Sequence, residues 1–333
     1  MRIADSTGVT DAGRKRRRNE DSFVREPPLF AVADGMGGAQ AGEVASRLAA
    51  AAFREFHDAD ELEPEERVAA IIQEANRRIY ERARSDAQAS GMGTTITAAL
   101  VTGAGVAVGH VGDSRAYRVR RDGIEQLTED HSLVADLVRS GRIRPEEADA
   151  HPQRSVITRA LGTDLEVDVD TFTVEAEPGD LFLLCSDGLT TMVDDETILS
   201  LVEERRADLD KLVRSLIKAA NKGGGEDNIT VVAFEIADGQ APEADELEQT
   251  AVVPAPAAGE ADDEDTLTEA DRVPAVDTMV ISADEIAAAY EREQEAAPPP
   301  RRARRFFRRL FAYLAVLALL AGLAFLILWG LSR

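Results

Sequence analysis

Cysteine is nearly absent: one thiol, Cys185, in 333 residues. A lone thiol closes no intramolecular disulfide and builds no multi-cysteine zinc site, and both exclusions suit a reducing compartment. Histidine is scarce too. The four present, His57, His110, His131 and His151, are scattered and read as structural. Positive charge is in short supply: 38 Lys and Arg stand against 62 Asp and Glu, a net charge of −24. So acidic a surface lacks the broad cationic footprint that nucleic acid requires, and no nucleic-acid partner is expected. The N-terminal residues contain no apolar run, so no secretory leader is expected. No repeat of fixed period suggests a solenoid.

What is present is unevenly distributed. Residues 1–237 mix strand-like and helix-like segments. Residues 238–300 hold 18 acidic residues and two arginines among many Ala and Pro, with few large apolar side chains. That composition predicts a disordered acidic linker. Residues 301–309 carry six arginines, and residues 310–331 carry no charge and are almost all Leu, Ala, Phe, Val or Ile. About 20 apolar residues cross a bilayer core, so one transmembrane helix is expected over 310–331. Tyr313 and Trp329 lie near its ends, where aromatic rings favour the interface. The arginine flank places the preceding residues in the cytoplasm and the 301–309 segment against anionic lipid headgroups. The expected localisation is a single-pass protein of the cell membrane.

Within 1–237, Val68, Ile71, Ile72, Ala75, Ile79 and Ala83 form an apolar stripe that predicts a helix over 64–87, with Pro64 at its start. Further helices are expected over 41–56, 195–204 and 209–220. Strands are expected over 29–33, 94–101, 106–111, 116–119, 181–185 and 229–236. Several are nearly continuous apolar runs, which implies sheets covered on both faces. Strands and helices come in groups, so the expected class is α+β with largely antiparallel sheets.

The aspartates fall in a pattern. Three apolar strands run into Asp34-Gly35, Gly112-Asp113 and Asp187-Gly188, and Asp227-Asn228 precedes a fourth. In antiparallel pairing the end of one strand meets the start of its neighbour, which would gather Asp34, Asp113, Asp187 and Asp227 along one edge. Glu20-Asp21 precede the first such strand. Clustered carboxylates repel unless protonated or bridged by cations, and oxygen-only ligation selects hard ions such as Mg²⁺ or Mn²⁺. Taken singly, each Asp-Gly is as well explained by a turn; the recurrence favours a site.

These residues sit in a longer series: Thr10-Asp11-Ala12-Gly13 through Arg16 to Asn19-Glu20-Asp21; Ala33-Asp34-Gly35-Met36-Gly37-Gly38; Gly91-Met92-Gly93-Thr94-Thr95; Val111-Gly112-Asp113-Ser114; Leu127-Thr128-Glu129-Asp130-His131-Ser132; Ser186-Asp187-Gly188-Leu189; Asp227-Asn228-Ile229-Thr230. In content and order the series resembles the metal-dependent type-2C (PPM) protein Ser/Thr phosphatases in their bacterial form, over roughly residues 5–237. The resemblance implies a β-sandwich of two antiparallel sheets flanked by helices, with two Mn²⁺ or Mg²⁺ ions at one end and a third, weaker ion in bacterial members. By position, Asp34 would bridge the two ions and Gly35 would offer its carbonyl. Asp187 and Asp227 would hold the first ion, with Glu20 or Asp21 assisting at the second. Asp113 would serve the third, and Arg16 would hold the substrate phosphate. The implied reaction is hydrolysis of phosphoserine or phosphothreonine by a metal-bridging hydroxide. Some eukaryotic members carry a histidine after the Asp-Gly pair as general acid; here Met36 stands there and cannot donate a proton. The residues from about 132 to 160 correspond to a flap over the site.

The implied partners are phosphorylated proteins, including membrane-associated Ser/Thr kinases. The alternative is a catalytically inactive phosphatase fold serving as a membrane adaptor, which loss of Asp34, Asp187 or Asp227 would favour; all three are present. In the linker, Thr250 and Thr278 each follow an acid and precede apolar residues. They read either as kinase targets for a phosphothreonine-reading domain or as parts of an unmodified spacer.

Overall fold

Two sheets follow from apolar runs whose alternate residues meet two different environments. A computed structural model describes residues 1–37, 41–55, 62–86, 89–121, 123–148 and 151–239, with the backbone of 279–280. The first sheet runs β1 (Arg2–Asp11), β12 (Ile229–Ala237), β11 (Leu181–Cys185), β7 (Arg115–Arg120), β8 (Gly123–Gln126). The second runs β10 (Asp170–Val174), β6 (Val106–Val111), β5 (Ile96–Val101), β3 (Leu29–Met36), β2 (Asp21–Glu26), with β4 (Gly93–Thr94) added to β3. Every neighbouring pair in both sheets is antiparallel.

One set of alternate residues fills the layer between the sheets. Phe30, Val32, Ala99 and Val108 from the second sheet meet Phe182, Leu184, Val232 and Phe234 from the first. The Phe30 and Phe234 rings stack with centroids 4.3 Å apart, a contact worth about 1 kcal/mol beyond its buried area. The other set faces helices. Ala31, Ala33, Ala98 and Ala107 lie against α1 (Ala41–Glu55) and α2 (Pro64–Ser85). Leu181, Leu183, Val231 and Ala233 lie against α6 (Asp195–Arg205) and α7 (Leu209–Gly223). Small side chains under α1 and α2 let those helices approach the sheet closely. The helices start where the sequence provides caps: Asp194 accepts from Thr197 N–H at 2.8 Å, Asp208 from Lys211 N–H at 3.0 Å, and Pro64 opens α2.

This is the expected sandwich of antiparallel sheets flanked by helices, with differences in detail. The strand expected over 94–101 is broken at Thr95. There the backbone N–H of Thr95 donates to the Asp34 carbonyl and the Thr95 hydroxyl accepts from the Asp34 N–H, at 2.9 and 3.0 Å. The local bonding therefore involves a side chain, and the run splits into β4 and β5. Strands β1, β2, β8 and β10 were not expected; each is the edge of a sheet. Between β8 and β10 the chain forms α3 (Leu133–Arg139), α4 (Pro145–Ala148) and β9 (Val156–Ile157), and α5 (Asp187–Thr190) follows β11.

Among the described residues no helix is long and apolar enough to cross a membrane. The expected span over 310–331, the basic segment 301–309, Thr250 and Thr278 all lie outside those residues. So does nearly all of the expected disordered linker, 238–300, except 238–239 and a short strand, β13 (Met279–Val280), which pairs with β9.

Candidate metal centre

The antiparallel register brings strand ends together as the aspartate pattern requires. Asp21 opens β2 directly opposite Asp34 near the end of β3. Cys185, last in β11, pairs with Val231 near the start of β12, so Asp187 and Asp227 emerge side by side. Val111, last in β6, pairs with Ile96, first in β5, and Asp113 follows two residues on. Their mutual influence is electrostatic. Burial pushes the Asp34 carboxyl well above the usual range, and Asp21, Asp187, Asp227 and Asp113 push it further. Burial and then Asp227 raise Asp187 to about 6, while a hydrogen-bonding contact with Asp34 opposes the shift. Burial, then Asp187 and Asp130, raise Asp113.

Asp21 is the most enclosed member, 7% exposed. Its Oδ2 accepts from the Ser186 hydroxyl at 2.9 Å and the Thr230 hydroxyl at 2.5 Å. Burial still lifts its pKa to about 7, with smaller contributions from Asp227 and Asp187. The Oδ1 atoms of Asp21 and Asp187 are buried with no hydrogen-bond partner. Orphan acceptors of this kind within mutually repelling carboxylates are what a hard cation satisfies. As the side chains stand, no three acidic or imidazole groups among the described residues are arranged to close on one ion. Donor type, burial and orphan oxygens fit divalent cations.

Glu20 and Gly35 come together at the start of α1. A Cβ on Gly42 would collide with Glu20 Oε2, and a Cβ on Gly35 with the carbonyls of Gly42 and Glu20. Only glycine permits this approach.

Of the basic residues 14–18, only Arg16 turns inward, its side chain 22% exposed, donating to Asp227 Oδ2 at 2.8 Å. Its loop is held from outside. The Arg14 and Lys15 N–H groups donate to the Gly225 carbonyl at 2.8 and 3.1 Å. Gly13 sits at φ 74° against the Asp227 carbonyl, where any Cβ would collide.

Several residues that organise the centre had no assigned role in the sequence. Asn228 donates through Nδ2 to the carbonyls of Ala12 and Arg18, at 3.0 and 2.9 Å, and accepts from the Glu20 N–H at 2.8 Å. One side chain thereby shapes the loop bearing both Arg16 and Glu20. Thr94 and Thr95 hold the Asp34 backbone, and Thr95 contacts the Ser114 hydroxyl at 2.8 Å beside Asp113. All these residues lay within the motifs quoted from the sequence, but their partners are remote along the chain.

His131 is buried, accepts from the Gly112 N–H at 3.0 Å and contacts Asp170 at 3.0 Å, so it ties the α3 connection to the Asp113 turn. Cys185 is buried and its thiol is pushed up to about 12 by burial, which fits an inert small hydrophobe. A groove of about 1020 Å³ opens beside Asp113 and Asp187 and continues past Glu129, Arg139 and Arg154.

Comparison with known proteins bears on this arrangement. Residues 13–230 match the family described as "Protein phosphatase 2C". The chain is 43% identical over 238 residues to the serine/threonine phosphatase stp of Listeria innocua, covering 68% of this chain and 93% of that protein. A crystal structure of the Mycobacterium tuberculosis serine/threonine phosphatase PstP/Ppp superposes with a TM-score of 0.67 at 40% identity, over 71% of this chain and 100% of the other. The catalytic domain of PstP in complex with two manganese ions superposes with a TM-score of 0.64 at 39% identity, over 71% and 99%. The strand-end carboxylates, their sandwich and these likenesses agree: the chain belongs to the protein phosphatase 2C family.

Proposed function

We propose that the protein is a metal-dependent protein Ser/Thr phosphatase that acts on phosphoproteins at the cytoplasmic face of a membrane. One observation carries the catalytic part: Asp21, Asp34, Asp113, Asp187 and Asp227 share one end of the sandwich, with buried carboxylate oxygens left unpartnered and Arg16 beside them. Asp34 would be shared by two Mn²⁺ or Mg²⁺ ions, with the Gly35 carbonyl as a further ligand. Asp187 and Asp227 would serve one ion, Glu20 or Asp21 the other, and Asp113 a third, weaker one. Bound ions of this type supply a nucleophilic water at neutral pH and positive charge for phosphoryl oxygens.

The chain's own residues do the rest. Ser186 and Thr230 hold Asp21 through Oδ2, leaving its buried Oδ1 without a hydrogen-bond partner. Arg16 is planar and permanently charged, and exchanging its Asp227 contact for a phosphate oxygen costs it no net ion pair. Met36, 6% exposed and two residues beyond Asp34, holds no proton for the leaving oxygen. The groove past Arg139 and Arg154 gives a flanking peptide room to lie. The membrane part rests on the 22 uncharged residues 310–331 behind six arginines, and a membrane location suits dephosphorylation of membrane-associated Ser/Thr kinases.

Hydrolysis of a phosphothreonine peptide should require Mn²⁺ or Mg²⁺, stop with EDTA, and fall by about 10³-fold or more in Asp34→Asn. Absent turnover with metal rejects this reading in favour of the inactive adaptor, and turnover that survives EDTA rejects the metal dependence.

A further inference from the structure

Composition predicts an unstructured spacer around residue 279. Met279 and Val280 instead form β13, parallel to β9 in the register Met279↔Val156 and Val280↔Ile157. β9 is not an isolated ribbon. Ile157 is bridged to Ser132, the residue that caps α3, and is 2% exposed in a cluster with Met36 and Ala160. Met36 stands two residues beyond Asp34, and Arg154 and Ser155, just ahead of β9, line the groove beside Asp187. A strand added to β9 therefore abuts the segment that joins the groove wall to the floor of the carboxylate cluster.

The sequence around β13 occurs in two versions. Thr278-Met279-Val280-Ile281 repeats the pattern of Thr250-Ala251-Val252-Val253: a threonine, one variable residue, then two β-branched residues. Such residues favour extended pairing. Two paired residues in parallel hold weakly by themselves. On one chain, however, the 240–278 tether keeps the segment near its site at an effective concentration of about millimolar, which suits a contact that forms and releases.

We propose that the edge of β9 is a docking site for the chain's own Met279–Val280 strand, bound by strand addition, and that the docked strand fixes the α3–β9 connection beside the groove. The coupling to the groove rests on the phosphatase reading; the docking does not. Docking spreads its effect through backbone hydrogen bonds, so it is sensitive to proline, which removes a donor and fixes φ.

The test uses the full chain in detergent micelles and compares Val280→Pro with Val252→Pro. Backbone hydrogen exchange of residues 154–159, read by mass spectrometry, should quicken about tenfold in Val280→Pro and stay unchanged in Val252→Pro. A synthetic peptide of residues 274–285 should restore protection in the Val280→Pro chain, and the same peptide with proline at 280 should not. Equal exchange in all chains, or quickening in Val252→Pro as large as or larger than in Val280→Pro, overturns the docking. The KM for a phosphothreonine peptide should shift at least about threefold in Val280→Pro only; exchange that quickens with KM unmoved overturns the coupling and leaves docking established. Exchange does not depend on turnover, so docking is measurable even in a chain inactive as a phosphatase.

Discussion

Asp34 concentrates the electrostatic cost of the fold. It is raised by burial and by four other carboxylates, and it sits where β3 can move little because Thr94 and Thr95 hold its backbone. A carboxyl whose pKa rises on folding opposes folding once the pH exceeds its unfolded value. The stability is fully present below about pH 4 and is lost as pH climbs through the folded pKa. Asp21, at about 7, and Asp187, at about 6, act in the same direction. Metal-free Asp34→Asn should therefore be more stable than metal-free wild type at pH 7.5, by about 1 kcal/mol or more, or about 2–4 °C in Tm. The gain should shrink toward pH 5. Thermal unfolding in EDTA across this range measures it, and a variant less stable at every pH contradicts the reading of Asp34 as a repelled group.

At the scale of elements, the α3–β9 connection is anchored through a pair of histidines whose rings are in tilted contact. His110 on β6 is fully buried, contacts the Thr97 hydroxyl at 2.9 Å, and has its ring centroid 4.7 Å from that of His131. Burial, and then His131, lower its pKa to about 4. The unfolded chain binds this proton near pH 6.5, so between about 4 and 6.5 the unfolded state holds more protons and stability falls as pH falls. The contribution is about 2–3 kcal/mol between pH 7.5 and 4.5. It opposes that of the carboxylates, so the net slope of the metal-free protein mixes both. Urea unfolding of wild type and His110→Gln at the two pH values separates them: the variant should lose less on acidification. Equal losses would place the proton elsewhere.

Element legibility divided along the sheets. The interior strands β3, β5, β6, β11 and β12 are covered on both faces, so their sequences are apolar runs that stand out, whereas β7 keeps three arginines partly exposed. The edge strands β1, β2, β8 and β10 are half exposed. β1, with Asp5, Ser6, Thr7 and Thr10, reads locally as loop, and only pairing with β12 across more than 200 residues makes it a strand.

At the scale of the whole molecule, the sandwich gathers the acidic residues at one end, and the proposed membrane location rests on the charge and apolar run of residues 301–331. Removing residues 301–333 deletes seven arginines and the apolar run together. In cell fractionation the full chain should sediment with membranes and resist extraction by high salt and carbonate, whereas a chain ending at 300 should remain soluble with unchanged phosphopeptide turnover. A full chain released by salt alone would leave lipid-headgroup attraction as the whole of the membrane contact.

The sequence by itself determined the class of the fold and the ions the site suits, and it named the residues proposed to bear on them. Strand-end aspartates, apolar alternation and the spacing of Arg16 before Asp21 are local properties, readable without partners. Tertiary structure alone decided which groups cooperate. The Asn228 clamp on residues 12–20, the Ser186 and Thr230 hold on Asp21, the Arg16–Asp227 pair and the β13–β9 ribbon join residues far apart in sequence. Composition marked the linker as unable to bury a core of its own, and that expectation has no term for a strand edge waiting elsewhere on the same chain. Hydrogen bonds and charge interactions depend on distance in space, and for these residues separation along the chain carries no information about that distance.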